Sequence, residues 1–138
     1  MSGTIVLGYD ASPGADGALA TAVELAQRFG DRLVIANGIS PPGTPTDETR
    51  AHIQAVEAKA AELTEAALAR AREAGVGAEV EIVPLRPSEA LVRLADQHNA
   101  RFIVVGSWGE GPLKGAILGS TAYKVLHLAE RPVVVVQG

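Results

Sequence analysis

The sequence predicts an α/β fold: an open, mostly parallel five-stranded sheet with four helices distributed over both faces. Two observations predict it. Short runs rich in Val, Ile and Leu alternate with segments of helical period, in the order β-α-β-α-β-α-β-α-β, and such alternation builds a parallel sheet flanked by helices. Most of the apolar runs are also continuous rather than alternating, as in strands buried on both faces. The chain has 138 residues, which suits one domain over 1–138. A chain of this size buries roughly two-thirds of its unfolded surface, enough for a core without staples.

The elements follow in order. TIVLGY (4–9) is the first strand. Ser12-Pro13 caps and starts the first helix, whose Leu19, Ala22, Val23, Ala26 and Phe29 share one face, and Gly30 ends it. RLVIANG (32–38) is the second strand, followed by the Pro- and Gly-rich loop ISPPGTPTD (39–47). Thr46 or Asp47 caps a long second helix with Ile53, Val56, Ala60, Leu63 and Ala67 on one face, closed by Gly75. AEVEIVP (78–84) alternates Glu79 and Glu81 with Val80 and Ile82, the pattern of an edge strand with one wet face. Pro87 opens the third helix behind a poor cap, Arg86, and Ala90, Leu91, Leu94 and Ala95 form its face. FIVVG (102–106) is the fourth strand, Ser120 caps a helix with Ala122, Val125, Leu126 and Ala129 on one face, and VVVV (133–136) is the last strand.

Composition excludes several classes. There is no cysteine, so neither a disulfide framework nor a cysteine metal site can form, in keeping with a reducing compartment. MSGTIVLGYD has no basic region leading into a long apolar stretch, and no run approaches the roughly 20 apolar residues of a membrane span. The expectation is a cytoplasmic protein. A net charge of −4, no basic cluster and 4% aromatic residues argue against nucleic acid and against a membrane surface as partners.

The stretch GSWGEGPLKGAILGST (106–121) stands out, with five glycines and a proline in its first fourteen residues, between a strand and a helix. Ligands of open parallel sheets sit beyond the carboxyl ends of the strands. Glycines let backbone approach a ligand, and the free N–H groups of a helix N-terminus favour phosphate. The stretch also reads as a plain flexible loop with Ser120 as an ordinary cap, although loops beyond about 12 residues in compact domains are uncommon and often functional. It is not a P-loop, because Pro112 and Leu113 follow Gly111 where Lys and Ser/Thr are needed. Nor is it the dinucleotide fingerprint, which needs glycine at Lys114 and a place after the first strand.

Two residues separate Gly106 from Gly109, nine separate Gly109 from Gly119, and Ser120 follows. This G-x2-G-x9-G-[ST] spacing resembles the nucleotide loop of the ATP-binding branch of the universal stress protein family. The resemblance covers essentially the whole chain: IVLGYDASPGADGALATAVELA is similar to the family's opening strand and helix, PSEALVRLA to its third helix, and FIVVGSWGEGPLKGAILGSTAYKVLHLAERPVVVV to its closing third. It implies a Rossmann-like, adenine nucleotide α-hydrolase-like fold with strand order 3-2-1-4-5. It also implies ATP between the first and fourth strands, with adenine toward strands one and two and phosphates on the glycine loop.

By matched position, the resemblance assigns Gly8, Tyr9 and Asp10 to the adenosine, with Asp10 also able to help place a metal. It assigns Gly38 to the adenine, Val105, Gly106, Trp108 and Gly109 to ribose and phosphates, and Gly119, Ser120 and Thr121 to the phosphates as donors. Magnesium is expected to arrive with the nucleotide, held largely by its phosphates. A homodimer through the last strand is expected, because a bare apolar edge needs cover; an unidentified regulatory protein is a further expected partner.

Three positions depart from the family pattern. Gly38 stands where the family often has a bulkier aliphatic residue, and glycine removes an apolar wall from the adenine pocket. Trp108 stands where the family often has Arg or His, exchanging a cation for an aromatic face that can stack on the nucleotide. Leu85-Arg86-Pro87 replaces a Gly-Asp/Asn-Pro turn and bears on helix capping more than on chemistry. Lys114 is a possible phosphate contact, but loop lysines are more often solvated. His127 reads as a surface or packing residue. His52 and His98 lie on different helices with no further ligands near in sequence, so no zinc site is expected.

No nucleophile–base pair is visible, so the expectation is a nucleotide-binding stress-response regulator with at most slow ATP hydrolysis. YDASPG at the first strand-to-helix turn argues against the S-G-G-x-D-S synthetases. Asp10 stands without the paired acid of a receiver domain, and EIVPLR ends the third strand without an aspartate. A flavodoxin would bind phosphate at the first loop. A nucleotide-free interaction module of the same fold is the remaining alternative.

Overall fold

The computed structural model describes residues 3–39, 46–107 and 118–137. Trp108, Gly109 and Lys114 lie outside the described residues. The elements are β1 (Thr4–Gly8), α1 (Pro13–Phe29), β2 (Arg32–Gly38), α2 (Asp47–Glu73), β3 (Ala78–Val83), α3 (Pro87–Gln97), β4 (Phe102–Gly106), α4 (Ser120–Leu128) and β5 (Val133–Val136). The five strands form one sheet in the order β3-β2-β1-β4-β5, and all four pairings are parallel.

Alternation along the central strands divides the core into two layers. Ile5, Leu7, Leu33, Ile35 and Val104 point to the side covered by α1 and α2, where they meet Leu19, Ala22, Ala67 and Ala71. Val6, Val34, Ile103 and Val105 point to the side covered by α3 and α4, where they meet Leu91, Leu94, Ala122 and Val125. Because both faces are covered, the central strands read as continuous apolar runs. β3 is an edge, as its wet pattern predicts, and ends at Val83 because Pro84 has no N–H for the ladder.

Helix ends follow local chemistry with one exception. Ser12 Oγ accepts from Ala15 N at the start of α1, and Thr46 forms a reciprocal capping box with Thr49 at the start of α2. Gly30 ends α1 at φ 69°, a left-handed conformation that glycine takes without a Cβ penalty. Arg86 makes no side-chain cap for α3. The exception is α4: its N-cap is Gly119 rather than Ser120, and Ser120 is the first helical residue. The cap position requires extended φ/ψ, and Gly119 holds it at φ −62°, ψ 154°.

Three residues expected on apolar faces are exposed: Phe29, Val56 and Leu126. Phe29 closes the sheet's lower end, packing edge-on against Phe102 at 5.5 Å and lying under the Arg101 guanidinium at 4.5 Å. In α2 the buried stripe runs Ala60, Thr64, Ala67, Ala71, and no described side chain from 48 to 59 is buried. The first half of α2 is therefore covered less than the second: Ile53 and Glu57 face the end of β3 at Ile82, Val83 and Pro84, whereas Val56 is exposed. In α4 the buried residues are Ala122 and Val125, and Leu126 is turned past them by one helical step.

The lower end of the sheet is tied by a buried carboxylate. Asp31 accepts from Gly3 N at 2.7 Å and from Arg101 Nε and Nη2 at 2.6 and 3.2 Å, linking the entries of β1, β2 and β4. Among the described residues no helix is long and apolar enough to cross a membrane.

Candidate functional site

The order β3-β2-β1-β4-β5 means that the chain leaves β1 toward one side and β4 toward the other. Their carboxyl ends therefore diverge into a crevice, the usual ligand position of open α/β sheets. A cleft of about 310 Å³ occupies it, within the roughly 300–1,000 Å³ of small-molecule sites.

Of the residues expected at a ligand, nine line this cleft. Gly8, Tyr9 and Asp10 enter from the end of β1, Gly38 from β2, Val105 and Gly106 from β4, and Gly119, Ser120 and Thr121 from the start of α4. Trp108 and Gly109, also expected there, lie outside the described residues, so the stacking role suggested for the indole has no geometry to set beside it.

The exit of β1 is held in place by several contacts. Tyr9 N donates to Ala36 O at 3.1 Å, extending the β1–β2 ladder by one bond. Asn37 Nδ2 donates to Tyr9 O at 2.9 Å. The Tyr9 hydroxyl points away into the α1 layer and donates to Asp16 Oδ1 at 2.8 Å, with Arg70 of α2 3.5 Å from the same oxygen. Burial, reinforced by the Asp16 carboxylate, pushes the Tyr9 phenol up to about 12. Tyr9 thus offers the cleft its backbone, while its hydroxyl is engaged in joining β1 to α1 and α2.

Asp10 is exposed and accepts from Ser12 N at 3.0 Å through Oδ1. This Asx-type turn fixes the carboxylate at the cleft mouth and leaves its second oxygen free of that bond. Between the two, Ala11 adopts φ 64°, an uncommon conformation for a residue with a Cβ.

The glycine stretch is closed at its base. Ser107 N donates to Val136 O at 2.8 Å, and Gly119 N donates to Ser107 O at 2.7 Å. Residue 107 and residue 119 are therefore hydrogen-bonded neighbours, and α4 begins beside the end of β4. No side chain caps α4, and helix geometry leaves its first N–H groups without intrahelical acceptors. Ser120, Thr121 and Ala122 all line the cleft, so these donors and the positive end of the helix dipole open on it.

The expected loss of an apolar wall at Gly38 takes a different form in the structure. A Cβ built on Gly38 would lie 2.7 Å from Leu85 O, 2.9 Å from Pro87 Cα and 3.0 Å from Arg86 C. The space that a larger residue would occupy is filled by the turn before α3. The two departures at 38 and 85–87 are thus one packing arrangement, and Pro87 itself lines the cleft.

Sequence reasoning did not find Asn37, nor the α3 wall formed by Pro87, Ala90 and Leu91. Asn37 carried a usable signal: a polar side chain at the carboxyl end of an otherwise apolar strand. The α3 residues carried none beyond a helical face.

Comparisons with known proteins agree over the full chain. A family model described as the universal stress protein family matches residues 1–137. The chain is 33% identical to a universal stress protein of Thermus aquaticus over 147 aligned positions, covering 99% of this chain and 100% of the relative. It is 33% identical to a longer universal stress protein of Mycobacterium bovis, covering 95% of this chain but 44% of that one, so it spans under half of that relative's length. Among solved structures it is similar to a universal stress protein from Archaeoglobus fulgidus in complex with dAMP, at 25% identity and TM-score 0.73 over 99% of this chain and 98% of the other. It is also similar to a universal stress protein in complex with cAMP, at 28% identity and TM-score 0.72 over 97% and 96% of the two chains. With the sheet order, the cleft at the switch point and these matches together, the chain belongs to the universal stress protein family.

Proposed function

We propose that this protein is a stress-response regulator that binds an adenine nucleotide, ATP with magnesium, in the cleft beyond β1 and β4. The observation that carries the reading is the start of α4. A helix N-terminus without a side-chain cap opens on a cleft of ligand size, and Ser120 and Thr121 line that cleft. The adenine preference draws on the family structures that hold dAMP and cAMP.

In this reading phosphates lie against Gly119, Ser120 and Thr121, and the adenosine lies along Gly8, Tyr9, Asp10, Gly38, Val105 and Gly106. Trp108 and Gly109 complete the phosphate side. Asp10 is the carboxylate positioned to help hold magnesium, whose chemistry would be to neutralise phosphate charge. The protein pairs with a second copy through β5, whose four valines are only half-buried in the single chain and whose outer edge has no strand beside it among the described residues.

Calorimetric titration with Mg–ATP tests the reading, using Thr121→Asp as the probe. An acidic residue in the first turn favours the helix but repels phosphate, so the variant keeps its fold and loses ATP. Undiminished ATP binding by Thr121→Asp would remove the phosphates from α4. Sedimentation at several concentrations tests the pairing, and a monomer mass throughout would exclude it.

A further inference from the structure

Glu79 and Glu81 are two residues apart on β3 and so project from the same face of the strand. Their register partners are Val34 and Ala36, which belong to the layer covered by α3 and α4. β3 is the sheet edge, so α3 covers this face only partly, and both glutamates are half-buried. The chain turns after β3, runs back along α3 and ends that helix at His98. This return brings the imidazole over the glutamates, with His98 Nε2 2.6 Å from Glu81 Oε2. One ligand-capable atom from each of Glu79, Glu81 and His98 lies within 4.8 Å of the other two. None of the three lines the nucleotide cleft.

We propose that Glu79, Glu81 and His98 form a zinc site on this edge of the sheet. Two carboxylate oxygens and one imidazole nitrogen are a donor set zinc accepts at about 2.0–2.2 Å, with water in the fourth position. At those lengths tetrahedral ligand atoms stand about 3.3 Å apart. The His98–Glu81 contact therefore opens slightly to admit the ion, and Glu79 swings inward. Both movements are within the reach of half-exposed side chains. Arg32 competes for Glu79, with Nη2 3.8 Å from Oε1. That pair is solvent-exposed and weak. The imidazole favours zinc over magnesium or calcium, which prefer all-oxygen sites. The two carboxylates supply the charge that a neutral imidazole does not.

The test is calorimetric titration of zinc chloride into the untagged full chain, without nucleotide, in a buffer that does not chelate. The expected result is one zinc per chain, with affinity falling about tenfold or more in His98→Ala and in Glu81→Gln. His52→Ala and His127→Ala, on the exposed faces of α2 and α4, leave it unchanged. Far-UV dichroism checks that each variant is folded, and Glu79→Gln carries the test if His98→Ala is not. Absence of binding at millimolar zinc, or binding undiminished by His98→Ala and Glu81→Gln, would overturn the proposal and leave an ordinary His–Glu hydrogen bond.

Discussion

Gly38 faces the Leu85 carbonyl so closely that a Cβ on Gly38 would stand 2.7 Å from its oxygen. This contact joins the end of β2 to the turn before α3 and shapes one wall of the cleft. Because the opposing atoms are backbone, no side-chain rotation can relieve a larger residue. Gly38→Ala should destabilise the fold by about 1–3 kcal/mol, read from the urea midpoint. Replacing Leu85-Arg86 with Gly-Asp in the same chain should recover part of the loss. Equal stability of Gly38→Ala and the parent would show that the turn yields freely.

The Asp31–Arg101 pair predicts an acid-sensitive fold. Hydrogen bonds from Arg101 first, and from Gly3 N, hold the Asp31 carboxyl below its ordinary value of 3.8, against the opposing effect of burial. A depressed carboxylate contributes stability that is complete above the unfolded value and is lost as pH falls through the folded one. Stability should therefore decline below about pH 4, and Asp31→Asn should flatten part of that decline. Arg101→Ala should cost more than Asp31→Ala, because it leaves a buried carboxylate without its counter-charge and with only the Gly3 N–H, whereas the Arg101 side chain is 38% exposed and water can reach it. The reverse order in urea unfolding would contradict this account.

Tyr9 predicts the opposite pH behaviour. Its folded value is raised to about 12, so its contribution is complete below about 10 and is lost as pH rises through the folded value. Tyr9→Phe should remove a tyrosinate absorbance step near 12. It should also cost about 1 kcal/mol through the lost bond to Asp16. An alkaline step that survives unchanged in Tyr9→Phe would refute the assignment.

Ala11 holds φ 64° between Asp10 and Ser12. Ala11→Gly should stabilise the chain by about 0.5 kcal/mol, since relief of the left-handed penalty exceeds the added chain entropy. Ala11→Val should destabilise it by about 1 kcal/mol or more. Thermal midpoints in the order Gly, Ala, Val, highest first, are the expected outcome.

Much of the fold was legible because its determinants are local. Valine and isoleucine runs marked all five strands, and Glu79 and Glu81 marked β3 as an edge. Ser12, Gly30 and Thr46 marked helix ends by their own chemistry. At α4 side-chain preference pointed to Ser120 as the cap, and backbone geometry instead placed Gly119 there. Phe29, Val56 and Leu126 were misplaced because helical period identifies a face without saying how far the sheet extends beneath it. The cleft residues on β1, β2, β4 and α4 were assigned by matched position from the family resemblance, which rests on the glycine spacing and the order of elements around it. The α3 wall was not, because its approach depends on how Leu85–Pro87 packs on Gly38. The grouping of His98 with Glu79 and Glu81 was invisible for a similar reason. His98 follows Glu81 by 17 positions in the chain, and only the β3–α3 return brings them together.

The most direct test of the nucleotide reading is native mass spectrometry of the purified protein before and after addition of Mg–ATP. The predicted result is one ATP mass per chain, absent in Thr121→Asp and present in Ala11→Gly. A protein that stays empty at millimolar Mg–ATP while remaining folded would contradict the reading and leave the cleft without its proposed ligand.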